Sequence, residues 1–198
     1  MRIILIAAGL VLCASVPAAA QTIDFSPTTF QIYGGLGNSE TGGRQRAPNY
    51  KGSQVVSFLT DMPPGSVIVR THERKLYYVM PGGKAIQYGV GVGRDGFTWS
   101  GVDSVSRKAE WPNWHPPQVM IEREAARGHY IPEFMAGGPD NPLGARALYI
   151  GNTEYRIHGT SQPWSIGLAV SSGCIRMLNE EVIDLYERVE VGAAVRVE

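Results

Sequence analysis

The chain has 198 residues, 43% hydrophobic and 18% charged, a balance ordinary for a globular domain with a full apolar core. Eighteen Lys and Arg match eighteen Asp and Glu, so the formal net charge is zero. No global electrostatic attraction to nucleic acid follows, and a polymer would have to be held through local polar grooves.

The N-terminus reads as an export signal. Met1 and Arg2 form a short positive region, Ile3 to Val16 is an almost unbroken apolar run, and Pro17 to Ala20 supply small residues before Gln21. The run is shorter than the roughly 20 residues of a spanning helix, so no stable membrane span is expected once residues 1–20 are cleaved. Lipidation at Cys13 is disfavoured because Leu12, not a small residue, precedes it. Residues 21–54, rich in Gly, Ser, Asn and Gln, read as a flexible leader, and residues 55–198 as the folded domain.

From Val55 the texture changes to short runs of Val, Ile, Tyr and Phe: QVVSFLT, SVIVRT, KLYYVM and AIQYGVGV, broken by DMPPG, HER and PGG. These predict closely spaced strands. GVGRDG matches the Gly-x-Gly-x-x-Gly pattern at Gly91, Gly93 and Gly96, but a dinucleotide site needs a helix to start there. FTWSGVDSVSRK follows without helical period, so these glycines read as turns or bulges. AEWPNWHPP reads as a loop punctuated by proline, its tryptophans packing a surface segment, with a cleft wall for a glycopeptide as the alternative. RALYIG and YRIHGT predict two more strands around a Gly-Asn-Thr turn, and AAVRVE the last. One helix is expected after Cys174, with Asn179 as N-cap, Glu180 and Glu181 in the first turn, Val182, Leu185, Tyr186 and Val189 at helical spacing, and Gly192 ending it. The fold class is predominantly β, a sheet or barrel-like sandwich with a short C-terminal helix.

After signal removal one cysteine remains, Cys174, within YRIHGTSQPWSIGLAVSSGCIRM. In an oxidising compartment an unpaired thiol calls for an explanation. A small buried filler is one reading, although Ser171, Ser172, Gly173 and Arg176 around it are small or polar. His72, His115, His129 and His158 lack the close spacings that grip zinc, so no metal is expected. A nucleophile is the other reading, because a thiolate attacks once a neighbouring imidazole takes its proton. His158 is the natural partner, and a structural histidine the alternative.

IHGT followed by SSGCIRM resembles the catalytic signature of the L,D-transpeptidases, the YkuD domain or ErfK/YbiS/YcfS/YnhG family. LYYV, YGVGVG and NPLGARALYI also resemble that domain, so the likeness covers roughly 55–198. Many members carry histidine where this chain has Ser172, which marks a subgroup and removes a second imidazole. The resemblance implies a β-rich catalytic fold acting on peptidoglycan stem peptides, with an amine acceptor on a second stem or on an outer-membrane protein, without cofactor. It implies Cys174 as nucleophile and His158 as general base and acid, with the Gly159 carbonyl holding the other ring nitrogen. The amides of Gly173 and Cys174 are candidates for an oxyanion hole. Arg176 is read as binding a stem carboxylate or supporting the loop, Ser172 as shaping the site or facing solvent, and Tyr149 and Trp164 as groove lining or core. With the export signal it implies a periplasmic protein. The rival readings are an L,D-carboxypeptidase or endopeptidase on the same scaffold, and a non-catalytic wall-binding module.

Overall fold

The computed structural model describes residues 50, 52–97 and 99–198. The expected signal and most of the expected leader lie outside these residues. Eleven strands and two helices follow in order: β1 (Gln54–Ser57), β2 (Val67–Arg70), β3 (Lys75–Met80), β4 (Lys84–Gly89), β5 (Val92–Gly93), β6 (Gly101–Glu110), α1 (Gln118–Ala125), β7 (Arg146–Ile150), β8 (Arg156–His158), β9 (Ala169–Ser171), β10 (Ile175–Arg176), α2 (Asn179–Arg188) and β11 (Ala194–Val197). The fold is mostly β, and every run predicted as a strand contains one.

Among the described residues, nine strands form one mixed sheet in the order β1-β4-β3-β2-β11-β6-β7-β8-β10, and β5 pairs with β9. The last strand is therefore central. β11 lies parallel to β2 and antiparallel to β6. The first four residues of β6 pair with β11 and its later residues with β7, with an irregularity between Val105 and Arg107. Such a bulge bends a strand and increases its twist, so one long strand can serve both parts of the sheet.

Side-chain alternation explains the core. Val67, Val69, Leu76, Ile86 and Tyr88 join Val105, Leu148, Ile150, Ile157 and Ile175 in one buried cluster. Ile68, Tyr77, Val79 and Ala85, of opposite parity, bury against Phe58 in a second. Both faces of β2 are covered, which is why VIV reads as a continuous apolar run. Val182 and Leu185 of α2, with Val189 at its extended C-cap, close the main cluster.

Three local expectations are corrected. α2 ends at Arg188, with Val189 already extended as its C-cap, before Gly192 is reached. Leu178, not Asn179, occupies the N-cap position of α2, with no side-chain cap; Asn179 makes other bonds, described below. A second helix, α1, follows Pro116 and Pro117. Its weak apolar periodicity hid it, although prolines ahead of good helix formers (EREAA) are a start signal.

At the end of the expected leader, Tyr50 packs on the domain. Its hydroxyl accepts from Gly89 N at 2.8 Å and donates to Glu181 Oε1 at 2.5 Å.

Candidate active site

The sheet places the two halves of the sequence signature side by side. β8 and β10 are parallel, with Ile157 opposite Ile175 and His158 opposite Arg176. Both isoleucines point into the core, so Arg156, His158 and Arg176 take the other face. Cys174 lies immediately before β10. Tyr149 of β7 is opposite Arg156, and Arg107 of β6 is opposite Tyr149. One cross-strand row thus reads Arg107, Tyr149, Arg156, and the next reads Ala109, Ala147, His158, Arg176. Cys174 precedes the second row's Arg176 by two residues, and its thiol lies by Glu154 O and Arg156.

His158 is buried at 4% exposure. Its Nδ1 lies 2.6 Å from Gly159 O. A carbonyl only accepts, so Nδ1 carries the proton and Nε2 is the basic nitrogen. Burial, reinforced by the Arg176 charge, pushes the imidazole down to about 3, against the carbonyls of Gly159 and Leu143 that favour the charged ring.

Asn179 fixes the backbone that holds this ring. Its Oδ1 accepts from Ala145 N at 2.9 Å and Thr160 N at 3.2 Å, and its Nδ2 donates to Thr160 O at 3.1 Å. Gly144 and Gly159 approach so closely that a Cβ on either would strike Asn179 Oδ1.

The loop before Cys174 is closed by Ser171, whose hydroxyl accepts from Gly173 N at 3.1 Å and donates to Cys174 O at 2.6 Å. The Gly173 amide is thereby engaged, leaving that of Cys174 as the remaining oxyanion candidate. Gly173 has φ +115°, and a Cβ there would strike the Tyr155 ring and Phe97 O, so both conformation and space require glycine. The thiol of Cys174 donates to Glu154 O at 3.7 Å. Burial pushes its pKa up, outweighing Arg156 and Arg176, whose charges favour the thiolate. The resting pair is therefore a neutral thiol and a neutral imidazole.

The surrounding segments were only partly legible. Ser172 faces α1, accepting from Arg123 Nη2 at 3.1 Å. The glycine-rich GVGRDG segment buttresses the loop: Gly91 and Arg176 exchange backbone hydrogen bonds of 2.9 and 2.8 Å, and Arg94 N donates to Ser171 O at 3.1 Å. No helix follows it; β6 does. Arg176 donates to Gln162 Oε1 at 3.1 Å. Tyr149 meets two guanidinium groups, Arg107 Cζ at 3.6 Å and Arg156 Cζ at 5.4 Å from its ring centroid. Trp164 sits half-buried in a 3-10 turn, Pro163–Ser165. Arg156, absent from the sequence-based candidates, is the added residue; its place before His158 in YRIH was the available signal. Among the described residues, no three His, Cys, Asp or Glu side chains form a metal cage, and no helix is long and apolar enough to cross a membrane.

Residues 64–197 match the YkuD family, described as the L,D-transpeptidase catalytic domain. The chain belongs to this family. The YkuD domain is 38% identical over 144 residues to Escherichia coli K12 "Probable L,D-transpeptidase ErfK/SrfK", covering 70% of this chain and 46% of that protein. It is 33% identical over 147 residues to "Probable L,D-transpeptidase YcfS" of the same strain, covering 71% and 46%. The chain thus spans about half the length of these relatives. An L,D-transpeptidase from Mycobacterium smegmatis shares the fold, with a TM-score of 0.51 at 20% identity, covering 67% of this chain and 57% of that one.

Proposed function

We propose that this protein is a periplasmic peptidoglycan L,D-transpeptidase with Cys174 as nucleophile and His158 as general base and acid. The observation that supports the reading is the pairing of β8 with β10, which brings Cys174, one residue before β10, beside the strand that carries His158 with its Nδ1 bonded to Gly159 O. Membership of the YkuD family supplies the substrate class. Residues 1–20, read as an export signal, support the location.

The donor is a stem tetrapeptide ending in meso-diaminopimelate and D-alanine. Cys174 Sγ attacks the carbonyl of the diaminopimelate L-centre while its proton passes to His158 Nε2. The Cys174 amide stabilises the oxyanion, a charge that exists only around the transition state. The C–N bond to D-alanine then breaks, and His158 returns the proton to the leaving amine. A thioester remains. An acceptor amine attacks it, His158 takes the amine proton, and sulfur departs to regain it. The new amide is a 3-to-3 cross-link, or an attachment where the amine belongs to an outer-membrane protein. The thioester conserves the energy of the cleaved bond, so the cycle needs no nucleotide.

The test is intact-mass and product analysis of the protein and of Cys174→Ala with purified disaccharide-tetrapeptide. Cross-linked dimer with loss of D-alanine, absent in the variant, is expected. Tripeptide alone would make it an L,D-carboxypeptidase, and no Cys174-dependent change in a folded protein would leave a protein acceptor or a binding module.

A further inference from the structure

We propose that Arg156 forms a carboxylate-binding subsite beside Cys174, occupied in the resting structure by the protein's own Glu154, which a carboxylate of the acyl donor displaces. The identity of the donor rests on the reading above; the anion subsite does not.

The placement comes from the sheet. Arg156 of β8 lies beside Cys174, the residue before β10, whose thiol senses both the Arg156 charge and its backbone; paired strands run about 4.8 Å apart. The Arg156 side chain is 12% exposed and its Nη2 meets Glu154 Oε2 at 3.1 Å. The Arg156 guanidinium lies against the Tyr149 ring, which Arg107 also contacts, so a planar fork is held ready for a planar carboxylate. The Arg156 Nε is buried, so the contact with Glu154 is made at the outer end of the guanidinium, through Nη2. Glu154 is 82% exposed, and an ion pair with so exposed a partner is weak enough to exchange. The Glu154 backbone also receives the Cys174 thiol, so displacement of its side chain occurs beside the reacting sulfur. A stem tetrapeptide presents two carboxylates near the scissile bond, on the D-alanine leaving group and on the D-centre of diaminopimelate.

Alkylation of Cys174 by iodoacetate and by iodoacetamide isolates the subsite. In both reactions the thiolate sulfur forms a bond to carbon and iodide leaves with the C–I electron pair, so the thiolate fraction cancels in the ratio of rates. Arg156→Gln is expected to lower the iodoacetate-to-iodoacetamide ratio roughly fivefold, the size of a half-exposed ion pair. Glu154→Gln is expected to raise it, and 1 M salt to narrow the difference. An unchanged ratio in Arg156→Gln overturns the subsite. Tetrapeptide donors amidated at D-alanine or at diaminopimelate then assign the carboxylate: the Arg156→Gln penalty in kcat/KM vanishes for the donor lacking the group that Arg156 binds. A penalty equal for all donors argues against substrate contact. If the ratio depends on Arg156 and the wild-type protein turns over no tetrapeptide, the subsite stands and the peptidoglycan reading falls.

Discussion

The strands β2, β3 and β4 and the strands β7, β8 and β10 obey the same two-residue alternation and use it differently. In the first group both parities are buried, one in each apolar cluster. In the second, one parity (Leu148, Ile150, Ile157, Ile175) enters the core, and the other presents Tyr149, Arg156, His158 and Arg176. The first group is a stability element. The second is an anchored display, in which strands of two and three residues suffice because the buried parity fixes register. Stability and chemistry are thus separable, residue by residue.

The sharpest break of this comparison is at His158, which belongs to the display yet is buried. His158→Gln is expected to lower acyl transfer roughly 10²–10⁴-fold, the usual loss of a general base, measured as D-alanine release per folded molecule. It also carries a pH signature. The unfolded imidazole titrates near 6.5 and the folded one at about 3. The unfolded chain therefore binds the proton first, so the stabilising contribution is complete above about 6.5 and is lost as pH falls toward 3. Urea titrations at pH 7 and pH 4.5 should show wild-type stability declining, and His158→Gln flattening its share of that decline. Over the same range wild-type kcat/KM should show no inflection near 6.5, because the base stays neutral.

Leu185→Ala tests the other side. Leu185 is fully buried in the main cluster, and its truncation is expected to cost about 2–5 kcal/mol in denaturant unfolding. Activity per folded molecule should be retained. A loss of kcat matching that of His158→Gln would show that core and display are not separable.

Much of this was legible in the sequence, for reasons that differ by region. KLYYVM becomes β3 without change of boundary because β-branched and aromatic residues between turns carry their own signal. IHGT and SSGCIRM were legible as a motif, and Val182 and Leu185 as a helical stripe, whereas Val189 falls just past the helix end. Asn179 misled because Asn before two glutamates suits an N-cap, whereas its amide reaches residues 34 and 19 positions away. The roles of Arg156, Arg123 and the GVGRDG segment likewise depend on partners distant in sequence, which local pattern does not specify.

Asn179 therefore separates capping from positioning. Asn179→Ala removes the acceptor of two backbone amides, an expected loss of about 1–3 kcal/mol, and loosens the Gly159 backbone that orients His158. Asn179→Asp keeps the accepting oxygen and replaces the Nδ2 donor to Thr160 O with a second oxygen. If Asn179 positions the imidazole, kcat should fall in Ala and recover substantially in Asp, with KM little changed. A purely structural role would move unfolding midpoints and leave kcat per folded molecule alone.

The smallest expected effect is at Tyr50, where the segment before β1 is tied to α2 and β4. Gly89 leaves space for the Tyr50 ring, since a Cβ there would strike it, and the hydroxyl bridges Gly89 N and Glu181 Oε1. Tyr50→Phe keeps the ring and removes the bridge, so thermal unfolding should shift by about 1 kcal/mol. Tyr50 lies on the stability side of the comparison: its contacts are with β4 and α2, and neither partner belongs to the row of Arg156 or of His158. D-alanine release should therefore equal that of wild type. A changed kcat in Tyr50→Phe would mean that the α2 start, through Asn179, transmits strain from the N-terminal tie to the imidazole, and the two regions would then be coupled through one helix.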